Sequence, residues 1–202
     1  MNKNLLALNS SGQLVIKSPD GEIRNIARYT HKLACAYLVI DCSSSMHGNN
    51  IAQAQKGAIE FAAEAIKKGY SIGIIKFADY ASAICELSSE LSAISNKLSE
   101  LIPGGSTNMA EGIILSIEKM YSIKGLRSIV IVTDGFPNNQ SDALDAAKNA
   151  KETGIEIITI GTDDADKDFL AKLASNQSMS MKVSRELLSK SIASAVLMLP
   201  TA

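Results

Sequence analysis

The segment Tyr37-Leu-Val-Ile-Asp-Cys-Ser-Ser-Ser-Met-His-Gly48 carries the plan of this chain. An unbroken apolar run, Ala34 to Ile40, stops abruptly at an acid, Asp41. A continuous apolar run, as opposed to an alternating one, is the pattern of a strand buried on both faces. Ser43 and Ser45 follow at alternate positions, and Gly48 releases the chain into a helical pattern. A buried strand that ends in Asp-x-Ser-x-Ser sets a carboxylate and two hydroxyls at its carboxyl end. All three are oxygen donors, which suit a hard cation such as Mg²⁺.

Downstream, strands and helices alternate. Ile51, Ala54, Ala58, Ala62 and Ala65 recur at helical spacing within residues 50–68, and Gly69 ends the pattern. Ser71–Phe77 reads as the next strand. Ala81–Glu86 follows after only Ala78, Asp79 and Tyr80, too short a link for a parallel crossover, so this strand turns back antiparallel at a sheet edge. Leu91, Ile94, Leu98 and Leu101 mark a helix that stops at Pro103-Gly-Gly105. Asn108 and Glu111 have capping-box spacing ahead of Ile113, Ile117 and Met120. Arg127–Thr133 reads as a second strand of the fully buried kind, and it too runs into an acid, Asp134. A helix over 141–152, a strand at Ile155–Ile160, a short helix at Phe169–Leu173, an edge strand at Met179–Val183 and a closing helix through Leu188, Ile192, Ala195 and Leu199 complete the chain.

This order implies an α/β fold. The sheet is doubly wound and mostly parallel, with one antiparallel edge strand and helices on both faces. Such sheets place their sites at the carboxyl ends of strands, where the strand order reverses. Asp41 and Asp134 share one crevice if their strands are neighbours across that reversal. Residues 1–33 have a different texture. Leu5–Leu8, Gln13–Lys17 and Glu22–Ile26 read as two or three short antiparallel strands, with a turn signal at Ser18-Pro-Asp-Gly21. They are too few for a core of their own and are expected to pack on the main domain or extend a sheet edge. The domain division is therefore 1–33 and 34–199.

The bulk numbers narrow the function. Of 202 residues 46% are hydrophobic and 20% charged, as in a globular protein with a full core, and the net charge is −1. Nothing there points to nucleic acid or an anionic membrane. No apolar run approaches the ~20 residues that span a bilayer, and the start, MNKNLLALNSSG, has too short an apolar core for a signal peptide. Cys35, Cys42 and Cys85 have no metal-site spacing and read as small buried apolar residues of a reduced, cytoplasmic protein.

Each candidate residue also has a plainer reading. Asp41, Thr107 or Asn108 alone would serve as a helix cap. His47 reads as an exposed turn residue. Gly161-Thr-Asp-Asp-Ala-Asp166 looks like a calcium loop but lacks the terminal Glu of an EF-hand, so its acids read as complements to a helix dipole. Met109, Met120, Met179 and Met181 read as core or edge filler. Neither histidine stands in a nucleophile–base pattern, and there is no Walker loop or nucleophile elbow.

Taken together, Asp41, Ser43 and Ser45 in Asp41-Cys-Ser-Ser-Ser45, Thr107 in Gly104-Gly-Ser-Thr107 and Asp134 in Thr133-Asp-Gly135 resemble the metal-ion-dependent adhesion site (MIDAS) of von Willebrand factor A domains. The likeness covers about residues 34–199. It implies that Ser43 and Ser45 bind Mg²⁺ or Mn²⁺ directly, Thr107 directly or through water, and Asp41 and Asp134 mainly through waters and hydrogen bonds. It further implies a protein partner that supplies an Asp or Glu to the metal, and no catalysis. Without a signal sequence the chain resembles intracellular bacterial members of the TerY-like group. Those work in tellurite-resistance and stress-response systems beside ATPase, kinase or phosphatase components. Two other readings stand beside this one: a scaffold that binds through its N-terminal strands, and an Mg²⁺-dependent phosphohydrolase using Asp41, whose usual second acid is replaced by Ser43.

Overall fold

The computed structural model describes residues 5–8, 14–17, 23–25, 33–162 and 164–201, with side chains for 34–162 and 164–201. The chain divides into two compact units, Met1–Leu33 and Ala34–Ala202. In the first, β1 (Leu5–Leu8), β2 (Leu14–Lys17) and β3 (Ile23–Asn25) form an antiparallel sheet in sequence order, with Leu5 opposite Lys17 and Val15 opposite Asn25. The turn signal Ser18–Gly21 lies outside the described residues.

The second unit holds β4 (Leu33–Asp41), α1 (Asn49–Lys67), β5 (Tyr70–Phe77), β6 (Ala81–Ser88), α2 (Leu91–Leu98) and α3 (Met109–Met120). These are followed by β7 (Gly125–Thr133), α4 (Gln140–Glu152), β8 (Glu156–Gly161), α5 (Lys167–Leu173), β9 (Ser180–Lys182) and α6 (Leu188–Ser194). The closing helix is shorter than its apolar spacing suggests: α6 ends at Ser194 and tightens into a 3₁₀ turn over Ala195–Met198.

The strands form one six-stranded sheet in the order β6-β5-β4-β7-β8-β9. β5 runs parallel to β4, β8 to β7 and β9 to β8, whereas β6 runs antiparallel to β5 at the edge, as the short link at Ala78–Tyr80 requires. The fold class read from the sequence is therefore the one observed. The β5–β6 ladder is irregular, with register shifts between Ile72 and Ile74 and again between Ile74 and Ile75.

The apolar character of β4 on both faces follows from its place in the middle of the sheet. Ala36, Leu38 and Ile40 point into the layer shared with Ala54, Ala58 and Phe61 of α1 and Leu188 and Ile192 of α6. Cys35, Tyr37 and Val39 point into the other layer, with Ile113 of α3, Ala147 of α4 and Phe169 of α5. Fully burying a side chain such as Leu38 contributes about 1.5–3 kcal/mol, so this strand is the firmest available support for a site at its end. The small residues of α1 let α6 come close. A Cβ on Gly57 would lie 2.7 Å from the Ser189 carbonyl oxygen and 2.8 Å from Ile192 Cβ.

From β4 the chain moves through α1 to β5 on one side, and from β7 through α4 to β8 on the other. The reversal of strand order falls between β4 and β7. Their carboxyl ends open the crevice where a doubly wound sheet carries its site.

Candidate metal centre

Asp41, the last residue of β4, is buried, and both its oxygens are engaged. Oδ1 accepts the Ser43 backbone N–H at 2.8 Å, and Oδ2 accepts the Thr133 hydroxyl from the end of β7 at 2.6 Å. Asp41 is thus not a helix cap. The residue that precedes α1 is Gly48, at φ 76 and without a side-chain cap bond. The Asp41–Ser43 turn leads into a 3₁₀ turn over Ser44–Met46, anchored by the fully buried Met46 side chain. That turn sets the Ser43 and Ser45 hydroxyl oxygens 3.0 Å apart. Ser45 Oγ donates to Asp134 Oδ1 at 2.7 Å, and the Asn50 amide of α1 donates to Asp134 Oδ2 at 2.8 Å. Asp41, Ser43, Ser45 and Asp134 are therefore one hydrogen-bonded cluster.

The loop that carries Thr107 is laid against this cluster by its backbone. Gly104 N–H donates to the Cys42 carbonyl at 2.7 Å, and the Gly105 carbonyl accepts from Ser44 N at 3.1 Å and Ser44 Oγ at 3.0 Å. Gly105 takes φ 78, a conformation other residues adopt at a cost. Beyond it, Asp79 Oδ1 accepts from Ser106 N at 2.9 Å and from Ser106 Oγ at 2.6 Å. Asn138 clamps Thr107 on both sides. Its Oδ1 accepts Thr107 N–H at 3.0 Å, and its own N–H donates to the Thr107 carbonyl at 2.9 Å. Thr107 is half-buried. The capping box is only half formed: Asn108 caps α3 by accepting Glu111 N–H, but Glu111 Oε2 accepts Ala81 N–H at 3.0 Å instead of reaching back. The reason is that Asn108 N–H is already taken by the Ala78 carbonyl, at 2.7 Å.

The electrostatics favour a cation. Burial pushes the Asp41 carboxyl up from 3.8 to about 6, the neighbouring Asp134 adds to the rise, and the Ser43 and Thr133 hydrogen bonds act against it. Two acids beside hydroxyls in one buried pocket are stabilised by a positive charge between them. The donor set is all oxygen. Cys42 turns into the core, where burial pushes its thiol up to about 12, so it offers no thiolate. His47 is exposed on the turn. Among the described residues no group of three or more His, Cys, Asp or Glu side chains converges as a metal cage. A site here rests on hydroxyls with two acids behind them. An octahedral ion with oxygens at about 2.1 Å has adjacent ligands about 3.0 Å apart, the spacing of Ser43 and Ser45 Oγ, so the cluster fits such an ion.

The acids of 161–166 serve other ends. Asp166 caps α5, accepting from Asp168 N and Phe169 N, and Asp164 pairs with Arg185; Asp163 lies outside the described residues. Sequence reasoning missed Asn50, Thr133, Asp79 and Asn138 as organisers of the site. Thr133 and Asn138 flank Asp134 in a segment already singled out, whereas Asn50 and Asp79 carry no local signal.

A family model described as the von Willebrand factor type A domain matches residues 37–194. The UPF0353 protein of Mycolicibacterium paratuberculosis is 30% identical over an alignment of 156 positions that covers 67% of this chain and 46% of that protein. The chain thus spans about half the length of the curated relatives it matches. Among solved structures, the vWF domain of the type V pili tip protein Mfa5 from Porphyromonas gingivalis superposes with a TM-score of 0.70 at 14% identity, covering 83% of this chain and 95% of that one. Proximal thread matrix protein 1 from the mussel byssus, solved with a zinc-occupied MIDAS motif, gives 0.69 at 20% identity over 83% of this chain and 46% of its own. At those identities the two structures bear on the fold alone. Among the described residues no helix is long and apolar enough to cross a membrane.

Proposed function

The chain belongs to the von Willebrand factor type A family, and from that premise we propose that it is a Mg²⁺- or Mn²⁺-dependent protein-binding module. Ser43 and Ser45 would hold the ion directly, Thr107 directly or through water, and Asp41 and Asp134 through waters and hydrogen bonds. The observation that carries this reading is the 3.0 Å spacing of the two serine oxygens, backed by two buried carboxylates. Neutral hydroxyl ligands leave a hard cation electron-poor, and it completes its shell with an anionic oxygen from outside. The ligand is then an Asp or Glu side chain of a partner protein.

The surroundings suit a protein partner. Tyr80 beside Asp79, Ile102 ahead of Gly104, and Phe136 after Gly135 are 80%, 73% and 57% exposed on the loops that frame the crevice. Large apolar side chains around a polar centre are a feature of interaction surfaces. They favour a partner segment that carries apolar residues beside its acid. Binding, not phosphoryl transfer, is also favoured by Ser43 standing two residues after Asp41, where a phosphohydrolase of this kind carries its second acid. The setting we propose, a cytoplasmic bacterial stress-response or regulatory complex with an ATPase, kinase or phosphatase component, rests on the resemblance to TerY-like proteins alone.

The test is a peptide array in which one Asp or Glu is flanked by apolar residues. It is probed with the unaltered protein in Mg²⁺, with the same protein in EDTA, and with Asp41→Ala in Mg²⁺. Binding only in the first arm, and lost when the peptide acid becomes its amide, is the expected result. Equal binding in all three arms would overturn the metal-bridge reading.

A further inference from the structure

We propose that Asn50 is a positioning residue of the metal centre, acting through Asp134 on the Ser45 hydroxyl; this rests on the metal-binding reading above. Asn50 is 6% exposed, in the first turn of α1, and is absent from the Asp-x-Ser-x-Ser, Thr, Asp pattern. Its amide orientation follows from its neighbour. A carboxylate oxygen only accepts, so the atom 2.8 Å from Asp134 Oδ2 must be the amide nitrogen. The same nitrogen lies 3.5 Å from the Ser45 carbonyl oxygen, so one side chain spans both the acid and the backbone of the serine beside it.

The consequence lies in proton direction. Asp134 Oδ2 is occupied by Asn50, so Oδ1 is the oxygen turned to Ser45, at 2.7 Å. Ser45 has one hydroxyl hydrogen, and it must donate it there. Its lone pairs are then left for Ser43 and for a cation, and the anion behind the O–H bond makes the oxygen a better ligand. Asn50 therefore fixes the carboxylate, the carboxylate fixes the hydroxyl rotor, and the rotor presents lone pairs to the ion. Without the amide, Asp134 is free to rotate and Ser45 loses its fixed donor direction.

Asn50→Leu keeps the branched outline of the side chain and removes the donor; Asn50→Ala removes both and serves if the bulkier leucine does not fold. Mn²⁺ binding is measured by loss of the free-ion electron paramagnetic resonance signal, with circular dichroism as the check on folding. Each substitution is made alone and with Asp134→Asn. Loss of a residue that orients a metal ligand lowers affinity about 10–100-fold, and that is the loss expected of Asn50→Leu. On top of Asp134→Asn it should add nothing, because Asn50 acts through that carboxylate. A merely structural role for Asn50 would instead give losses that add. An affinity within about twofold of the unaltered protein's, or additive losses, would overturn the proposal while leaving the metal site standing. No Mn²⁺ binding by the unaltered protein would overturn both readings.

Discussion

Gly105→Ala is expected to damage the centre from a position that contributes no side chain to it. At φ 78 an alanine sits in the left-handed region, at a cost of about 1–2 kcal/mol. The new Cβ would also lie 2.4 Å from Asp79 Oδ2 and 2.7 Å from its Cγ. Asp79 must swing away, and with it go the bonds from Ser106 N and Oγ that hold the loop one residue before Thr107. Gly104 is the internal control. A Cβ there meets nothing within 4 Å, so Gly104→Ala should stay within about 0.5 kcal/mol of the unaltered protein. The chain contains no tryptophan, so urea unfolding is followed by circular dichroism, beside a thermal scan in which 1 kcal/mol corresponds to about 2–4 °C for a chain of this size. Gly105→Ala should lose at least about 1 kcal/mol and bind Mn²⁺ more weakly. Equal midpoints and equal Mn²⁺ affinity for the two variants would refute the view that the Gly105 turn and its Asp79 clamp set the Thr107 position.

Other predictions follow from the same geometry. Thr133→Val leaves the buried Asp41 Oδ2 without its donor, and the metal-free protein at pH 8 should lose about 1.5–3 kcal/mol by urea titration. Because burial raises the Asp41 carboxyl from 3.8 to about 6, the folded state holds a proton between those pH values that the unfolded state has released. Metal-free stability should therefore fall as pH rises through that window, by up to about 3 kcal/mol. Asp41→Asn should abolish this component, and thermal midpoints compared across pH 4–8 would show it. Cys35 and Cys42 are buried free thiols, pushed up by burial to about 11 and about 12, so iodoacetamide at pH 8 should leave both unmodified by mass spectrometry until urea is added.

Much of this architecture is legible because burial on two faces leaves a one-dimensional trace. Ala34–Ile40 and Ile129–Val132 are apolar without alternation, since each run lies between two helical layers. The three-residue link Ala78–Tyr80 settles the antiparallel edge by length alone. The adjacency of Asp41 and Asp134 is a different kind of fact. It depends on β4 and β7 pairing across 92 residues of sequence, from Asp41 to Thr133, and no local pattern encodes it. Asn50 and Asp79 were invisible for the same reason: an asparagine in a first helical turn and an aspartate in a tight turn both have sufficient local explanations. The capping box shows the converse. The spacing of Asn108 and Glu111 is right, but a backbone carbonyl from another loop takes the N–H that the glutamate would have met.

The irregular β5–β6 ladder bears on how the molecule behaves when crowded. A sheet margin that is long, flat and regular offers a template on which a second chain lays down its own backbone, the first step toward fibrous aggregates. Here two register shifts fall within Ile72–Ile75, next to the outermost strand. Such bulges bend and over-twist a strand, so its free amides and carbonyls are not set out in the straight row an incoming strand needs. Glu86, exposed on that margin and paired with Lys119 of α3, adds charged side chains of the kind that blunt an edge strand as a template. The same irregularity that spoils the pairing of β6 with its neighbour helps to keep that margin from recruiting copies at high concentration.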